Sequence, residues 1–330
     1  MKSLINNIIN ITTKFMKKLN VKDFTINVVM YHYVREIKNS KYPNLKGLEF
    51  KNFKNQINFF LKNFNILSDD DFKEIILNKK IPSKPSILLT FDDGYLDHYK
   101  YVYPYLREKK IYGNFYPPKQ VIENKIVLDV NKIHFILEKE QNHKKILEEI
   151  DTILIKLDEK KISEKDENKI NLKSRYDKKE TVLIKRLLQY YLPKKIRERV
   201  TDILFEKIMN INLKDFSKKL YMNKKNIEEM YSDNMSFGSH GDYHYWLEFL
   251  KKEEQKKEIK SSISFFKKIN FDTNSLSICY PYGSFNKETL KICKKCNISY
   301  ALTTVPGSIS KRNISNTLEY PRYDTNDFPS

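Results

Sequence analysis

The run Ile87-Leu88-Leu89-Thr90-Phe91-Asp92-Asp93-Gly94 constrains this chain more than any other stretch. Its apolar, β-favouring residues predict a strand over 86–91, and the glycine then turns the chain. Neighbouring strand side chains point to opposite faces, so two acids at a strand end can take different tasks. One can bind a metal while the other works as a base. The competing reading is a strand followed by an Asp-Asp-Gly turn with no chemistry, a common arrangement. The rest of the chain decides between them.

Glycine and proline placement divides the sequence. Seven glycines occur in 330 residues, none between Gly113 and Gly238, and Pro193 is the one proline in the stretch after Pro118. Periodic apolar clusters such as Val182-Leu183-Ile184, Leu187-Leu188 and Tyr191-Leu192 fill that gap, which predicts a mostly helical insertion over 123–231. On either side, strand and helix signals alternate. Strands are predicted at 27–31, 86–91, 235–238, 275–280 and 298–302, and helices at 50–60, 99–109, 251–268 and 287–296. Repeated βα units over 25–122 and 232–330 imply an α/β fold, a parallel sheet or barrel with helices outside. Chemistry in such barrels gathers at the C-terminal strand ends. His32, Asp92, Asp93, His240, His244 and the segment Tyr280-Pro281-Tyr282-Gly283 all follow predicted strands.

Composition excludes several classes. Lysine and arginine exceed acids by 61 to 42, a net charge of +19. The lysines are dispersed among Glu and Asp without an arginine-rich cluster, so they read as a solvated surface and not a nucleic-acid site. Three cysteines argue against a disulfide scaffold, and the lone Cys293-x-x-Cys296 pair lacks the second pair of a structural zinc site. Residues 1–24 carry Leu4, Ile5, Ile8, Ile9, Ile11, Phe15 and Met16 in an amphipathic helical pattern, interrupted by Asn and lacking a cleavage site. A docking helix is expected there, with peripheral membrane contact through residues 1–20 as the alternative.

Two histidines four apart in Ser239-His240-Gly241-Asp242-Tyr243-His244 can converge if the loop opens into a helical turn. One carboxylate from the Asp92-Asp93 pair would complete a three-ligand site with open positions, the pattern of a catalytic divalent metal. Loop histidines that merely hydrogen-bond are the competing reading.

Taken together the motifs resemble the polysaccharide deacetylases, the NodB-like carbohydrate esterase family. Thr90-Phe91-Asp92-Asp93-Gly94 matches its first motif, and Ser239 to His244 its two-histidine motif, with Gly241 where Ser or Thr is more usual. Tyr280-Pro281-Tyr282-Gly283 looks like its third motif. Met30-Tyr31-His32-Tyr33-Val34 looks like the opening strand of the branch that includes poly-N-acetylglucosamine deacetylases. Tyr221 to Gly238 resembles the helix before the histidine motif. The resemblance covers roughly residues 25–120 and 220–325. It implies a distorted (β/α) barrel and assigns Asp93, His240 and His244 to the metal, with zinc expected and cobalt, nickel or iron as alternatives. It also implies Asp92 as general base, the Tyr282 backbone N–H as oxyanion donor and His32 as general acid, on an N-acetylated carbohydrate.

Two departures stand out. Cys279 occupies the position of the family arginine that orients the catalytic Asp, and Arg322 is the candidate replacement. No histidine follows His244, so the family's late leucine-histidine motif is absent; His98 is a weaker rival to His32 as the acid, and His134 and His143 look structural. The same machinery could cleave O-acetyl esters. A two-His, one-carboxylate iron oxygenase would use His240-Gly241-Asp242, and a non-catalytic glycan-binding protein would keep a degenerate site. The expected location is cytoplasmic, at or near the inner membrane face.

Overall fold

The computed structural model describes residues 25–170, 173–175 and 177–330. The segment 1–24, with its expected helix and membrane contact, lies outside them. Among the described residues no helix is long and apolar enough to cross a membrane. The described residues divide into two units, those from 25–35, 47–123 and 220–330, and those from 36–46 and 124–219.

Among the described residues the first unit carries eleven strands: β1 (Ile26–Tyr31), β2 (Val34–Arg35), β3 (Leu48–Glu49), β4 (Asn65–Leu67), β5 (Ser86–Asp92), β6 (Asn114–Tyr116), β7 (Ser236–Phe237), β8 (Ile278–Cys279), β9 (Ala301–Leu302), β10 (Ser308–Ile309) and β11 (Tyr323–Asp324). β1 and β5 are buried along their whole length, as strands covered on both faces must be. They pair in parallel over six residues, Ile26 opposite Ser86 through Tyr31 opposite Phe91. β6 continues the sheet beside β5, and β7 beside β6, both parallel. A single bridge, Ser239 to Ile278, passes the pairing to β8, which pairs with β9. A second bridge, Leu302 to Tyr320, leads to the segment before β11, and β11 pairs with β1. Followed around, the pairings return to their start, a distorted barrel whose far wall is held by isolated bridges. β10 alone runs antiparallel, against β1.

Helices pack outside through the apolar faces that their spacing predicts. In Phe50–Asn63 the residues Phe53, Ile57 and Phe60 are buried, and the Phe53 ring meets Tyr31 edge-on at 5.3 Å. Tyr31 stacks on Phe91 at 5.0 Å, which stacks on Phe115 at 4.8 Å, tying β1, β5 and β6 together. The helix predicted over 99–109 begins as a π-type turn at His98–Val102, and the α-helix proper, Tyr103–Glu108, places Pro104 in its first turn. Pro104 falls where the π-type turn, with Tyr103 N–H donating to the His98 carbonyl, passes into the α-helix, and such an interruption accommodates the N–H that proline lacks. The strands predicted at 235–238, 275–280 and 298–302 shrink to two residues each.

The second unit is helical. Helices Asp129–Lys139, His143–Lys156, Lys179–Arg186 and Lys194–Met209 bury Ile133, Ile136, Ile146, Ile150, Leu154, Ile184, Val200 and Leu204. Its limits differ from those drawn on the sequence. Lys224–Ser232 belongs to the first unit, and 36–46 joins the second, where Tyr42 meets Phe135 edge-on at 4.8 Å and Lys46 pairs with Asp177 at 2.5 Å. A helical periodicity scan sees neither change, because Lys224–Ser232 is itself periodic and 36–46 is not.

Gly238 marks a close approach in the barrel wall. A Cβ there would lie 2.4 Å from Tyr116 Cε1 and 2.8 Å from the Ser277 carbonyl oxygen. Gly238→Ala should therefore destabilise the protein by roughly 1–3 kcal/mol through overpacking. Chemical denaturation checks this; an unchanged midpoint would mean that the wall yields at this point.

Candidate metal centre

Asp92 is the last residue of β5, and Asp93 leaves the strand with φ 70°. This left-handed step, uncommon for a residue other than glycine, replaces simple strand alternation. Both carboxylates are buried, and His240 acts electrostatically on each. The His240–His244 loop does not form the expected helical turn. It converges instead through Gly241 at φ 77° and His244 at φ 64°.

Asp93 Oδ1 lies 3.4 Å from His240 Nε2 and 3.3 Å from His244 Nε2, all three residues buried. The surroundings fix which atoms face inward. His240 Nδ1 lies 2.7 Å from the Cys279 carbonyl oxygen; a carbonyl only accepts, so Nδ1 carries a proton, and in the neutral imidazole Nε2 presents its lone pair. Tyr95 donates its hydroxyl to Asp93 Oδ2 at 2.5 Å, leaving Oδ1 without a hydrogen-bond partner among the described residues. Burial pushes His244 down to about 3, so its imidazole is neutral. Burial also opposes charge on Asp93, but His240 and then His244, in their charged forms, would hold it well below the usual carboxylate range. With both imidazoles neutral, acceptor atoms point at one another in a buried site, where a cation resolves their repulsion. The separations suit it: a tetrahedral centre with bonds of about 2.0–2.1 Å spaces its ligands about 3.3–3.4 Å apart. Among the described residues no other group of three or more histidine, cysteine or acidic side chains converges this way.

Asp92 has a different partner. Arg322, 1% exposed, grips it with Nη1 to Oδ1 at 3.0 Å and Nη2 to Oδ2 at 2.8 Å. Arg322 also donates Nε–H to the Thr303 carbonyl at 2.8 Å and Nη1 to Thr90 Oγ1 at 3.3 Å, and it lies 3.1 Å from Cys279 Sγ. Burial would raise the Asp92 pKa, but Arg322, then His240, bring it down to about 2. The guanidinium thus occupies the space beside Cys279 that a side chain from position 279 itself would otherwise fill.

His32 follows β1 and is partly buried; in its charged form it would pull Asp92 and Asp93 down and push His244 down. His98 is placed elsewhere. It is fully buried, edge-on to Phe91 at 5.5 Å, with Nε2 donating to the His32 carbonyl at 2.8 Å, and burial lowers it to about 4. Tyr282 sits in the turn Pro281–Gly283 with φ 59°; its ring meets His244 edge-on at 4.6 Å and stacks on Trp246 at 4.7 Å. Asp242, the acid that an H-x-D iron site would use, is outside the cluster and accepts Gln120 Nε2–H at 2.8 Å. Cys293 and Cys296 end the helix Lys287–Lys295 and join no metal-ligating group. Sequence reasoning passed over Tyr95 and Trp246, whose roles depend on ring placement that no spacing reveals.

Comparison with known proteins agrees with this architecture. Over a 98-residue stretch, 30% of this chain and 35% of its relative, the chain is 31% identical to a putative polysaccharide deacetylase, YxkH, of Bacillus subtilis. The match thus spans about a third of that relative's length. Among solved structures the fold is similar to the Streptococcus pyogenes deacetylase PplD in complex with acetate (TM-score 0.56, 18% identity, 92% of each chain). It is also similar to IcaB from Ammonifex degensii (TM-score 0.53, 14% identity, 91% of each chain). The family model for polysaccharide deacetylases matches residues 79–151 and 191–301, more than half of the sequence and including parts of the helical unit, so the chain belongs to the polysaccharide deacetylase family.

Proposed function

We propose that this chain is a divalent-metal hydrolase that removes N-acetyl groups from sugar units of a glycan. One observation carries the reading: the Asp93 Oδ1 left without a hydrogen bond and facing two imidazole Nε2 atoms at 3.3–3.4 Å, beside a second, ionised carboxylate. Asp93, His240 and His244 would hold the metal, zinc by donor type. A cation so held lowers the pKa of a bound water from about 16 to about 7 and polarises a carbonyl oxygen.

The remaining work falls to the protein. Asp92, kept ionised and aligned by Arg322, accepts the proton of the attacking water. Its low pKa makes it a transient acceptor, so the proton must pass on to the departing amine. His32, at the end of β1 and within electrostatic reach of both aspartates, would supply that proton as general acid. The backbone N–H of Tyr282 would meet the charge that develops on the carbonyl oxygen. Membership of the family and the likeness to a deacetylase crystallised with acetate support an acetyl substrate. The same residues would also serve an O-acetyl ester, and acetate release from matched N- and O-acetylated oligosaccharides separates the two. Faster turnover of the N-acetylated series is expected.

Three outcomes follow from these roles. Asp92→Asn should lower acetate release by about 10²-fold or more while zinc stays bound; unchanged release would remove Asp92 from the chemistry. His244→Ala should lose both zinc and activity, read by metal analysis after dialysis, and full retention of zinc would contradict the ligand set. Arg322→Met should destabilise the fold by about 3–5 kcal/mol at neutral pH, because it leaves a buried carboxylate unpaired. The sign with pH is specific. With its pKa at about 2 in the fold against an ordinary 3.8, Asp92 contributes stability that is full above about pH 4 and is lost as pH falls toward 2. In the variant burial instead raises Asp92, so the stability gap to the parent should widen from pH 4 to pH 7. A gap that narrows over that range would contradict the pairing.

A further inference from the structure

We infer that Glu258 is a positioning residue for the paired histidines: it fixes the Gly241–Tyr243 loop and, through it, the separation of the His240 and His244 imidazoles. This rests on the metal reading above. Glu258 lies on the helix Lys252–Lys268 and is 4% exposed. Its Oε2 accepts two successive backbone N–H groups, Asp242 and Tyr243, each at 2.9 Å. Consecutive amides turned to one side after a left-handed residue make an anion-binding concavity, and here the anion is part of the chain. An ionised acceptor makes both bonds stronger than neutral ones.

The other side of the loop is tied down as well. Lys119 N–H donates to the Gly241 carbonyl at 3.2 Å and Gln120 N–H to the Asp242 carbonyl at 3.1 Å. Gly241 is the residue that lets the carboxylate in. At φ 77° it adopts a conformation that side chains resist, and a Cβ would come within 3.1 Å of Glu258 Oε2. The glycine at a position where this family more often has Ser or Thr is thus matched to the carboxylate beside it. His244 depends on the loop more than His240 does. His240 is steered by its Nδ1–H bond to the Cys279 carbonyl, whereas His244 Nδ1 has no hydrogen-bond partner among the described residues. Its ring is placed by its own backbone and by contact with Tyr282.

The test is zinc affinity of the full chain, measured by competition with a chromophoric chelator, alongside thermal midpoints of the metal-free proteins. Glu258→Ala should weaken zinc binding about 10–100-fold, the range for losing a group that orients a ligand. Glu258→Gln should return it to within a few-fold of the parent, since an amide oxygen can accept both N–H groups. Parental affinity in a folded Glu258→Ala protein, with only its midpoint lowered, overturns the inference and leaves Glu258 a purely structural residue. Should Glu258→Ala fail to fold, Glu258→Asp decides. Keeping the charge but withdrawing the oxygen should cost about tenfold in affinity where Glu258→Gln does not, and equal affinities overturn the inference. Failure of the parent itself to bind zinc would instead overturn the metal reading.

Discussion

Three acceptor atoms converge in the buried end of this barrel, and most of what surrounds them serves to keep them there. Two imidazole lone pairs and a carboxylate oxygen at 3.3–3.4 Å repel one another unless a cation lies between them. The chain spends backbone conformation on this convergence. Asp93 and His244 both adopt positive φ, each at a cost of order 1–3 kcal/mol. It also spends polar groups: the Tyr95 hydroxyl on Asp93 and the Cys279 carbonyl on His240. Such an arrangement is stable only where the scaffold over-determines it, and β5, β7 and β8 deliver the ligands and the Cys279 carbonyl from a continuous circuit of pairings.

The second constraint is the buried Arg322–Asp92 pair. Asp92 ends a central strand, while Arg322 comes from the segment before the last strand. Both are out of water, so their attraction has to outweigh the desolvation of two charges, which only good geometry allows. The ion pair, with Nη1–H donated to Asp92 Oδ1, Nη2 2.8 Å from Oδ2, and Thr303 and Thr90 taking further N–H groups, meets that condition. Position 279 lies beside the same carboxylate, yet there a small thiol leaves room for a guanidinium arriving from another strand. The need to hold one carboxylate ionised and aligned is met by space and charge, whatever the origin of the side chain along the chain.

How much of this was legible in the sequence follows from the range of the forces involved. β1 and β5 were readable because strands buried on both faces must be apolar throughout. Phe53, Ile57 and Phe60 were readable because helix burial has its own period. The far wall was not: Ser239, Ile278, Leu302 and Tyr320 make single bridges whose existence depends on neighbours distant in sequence. The residue types of the site stood out because paired acids, spaced histidines and a turn motif all fell at predicted strand ends together. Their convergence was expected from the motifs, but its backbone route could not be read, because left-handed backbone at Asp93 and His244 leaves no mark in residue type. Tyr95, Trp246 and Glu258 were silent for the same reason. Each resembles an ordinary core or helix residue until the loop that it supports is seen.

The claim on which the account rests is that Asp93, His240 and His244 share one cation. Anomalous scattering from a crystal of the zinc-loaded protein, collected on both sides of the zinc edge, tests it directly. The account predicts a zinc-specific peak about 2.0–2.2 Å from Asp93 Oδ1, His240 Nε2 and His244 Nε2. A fully loaded crystal with no peak among these atoms, or with its zinc bound elsewhere, would contradict it.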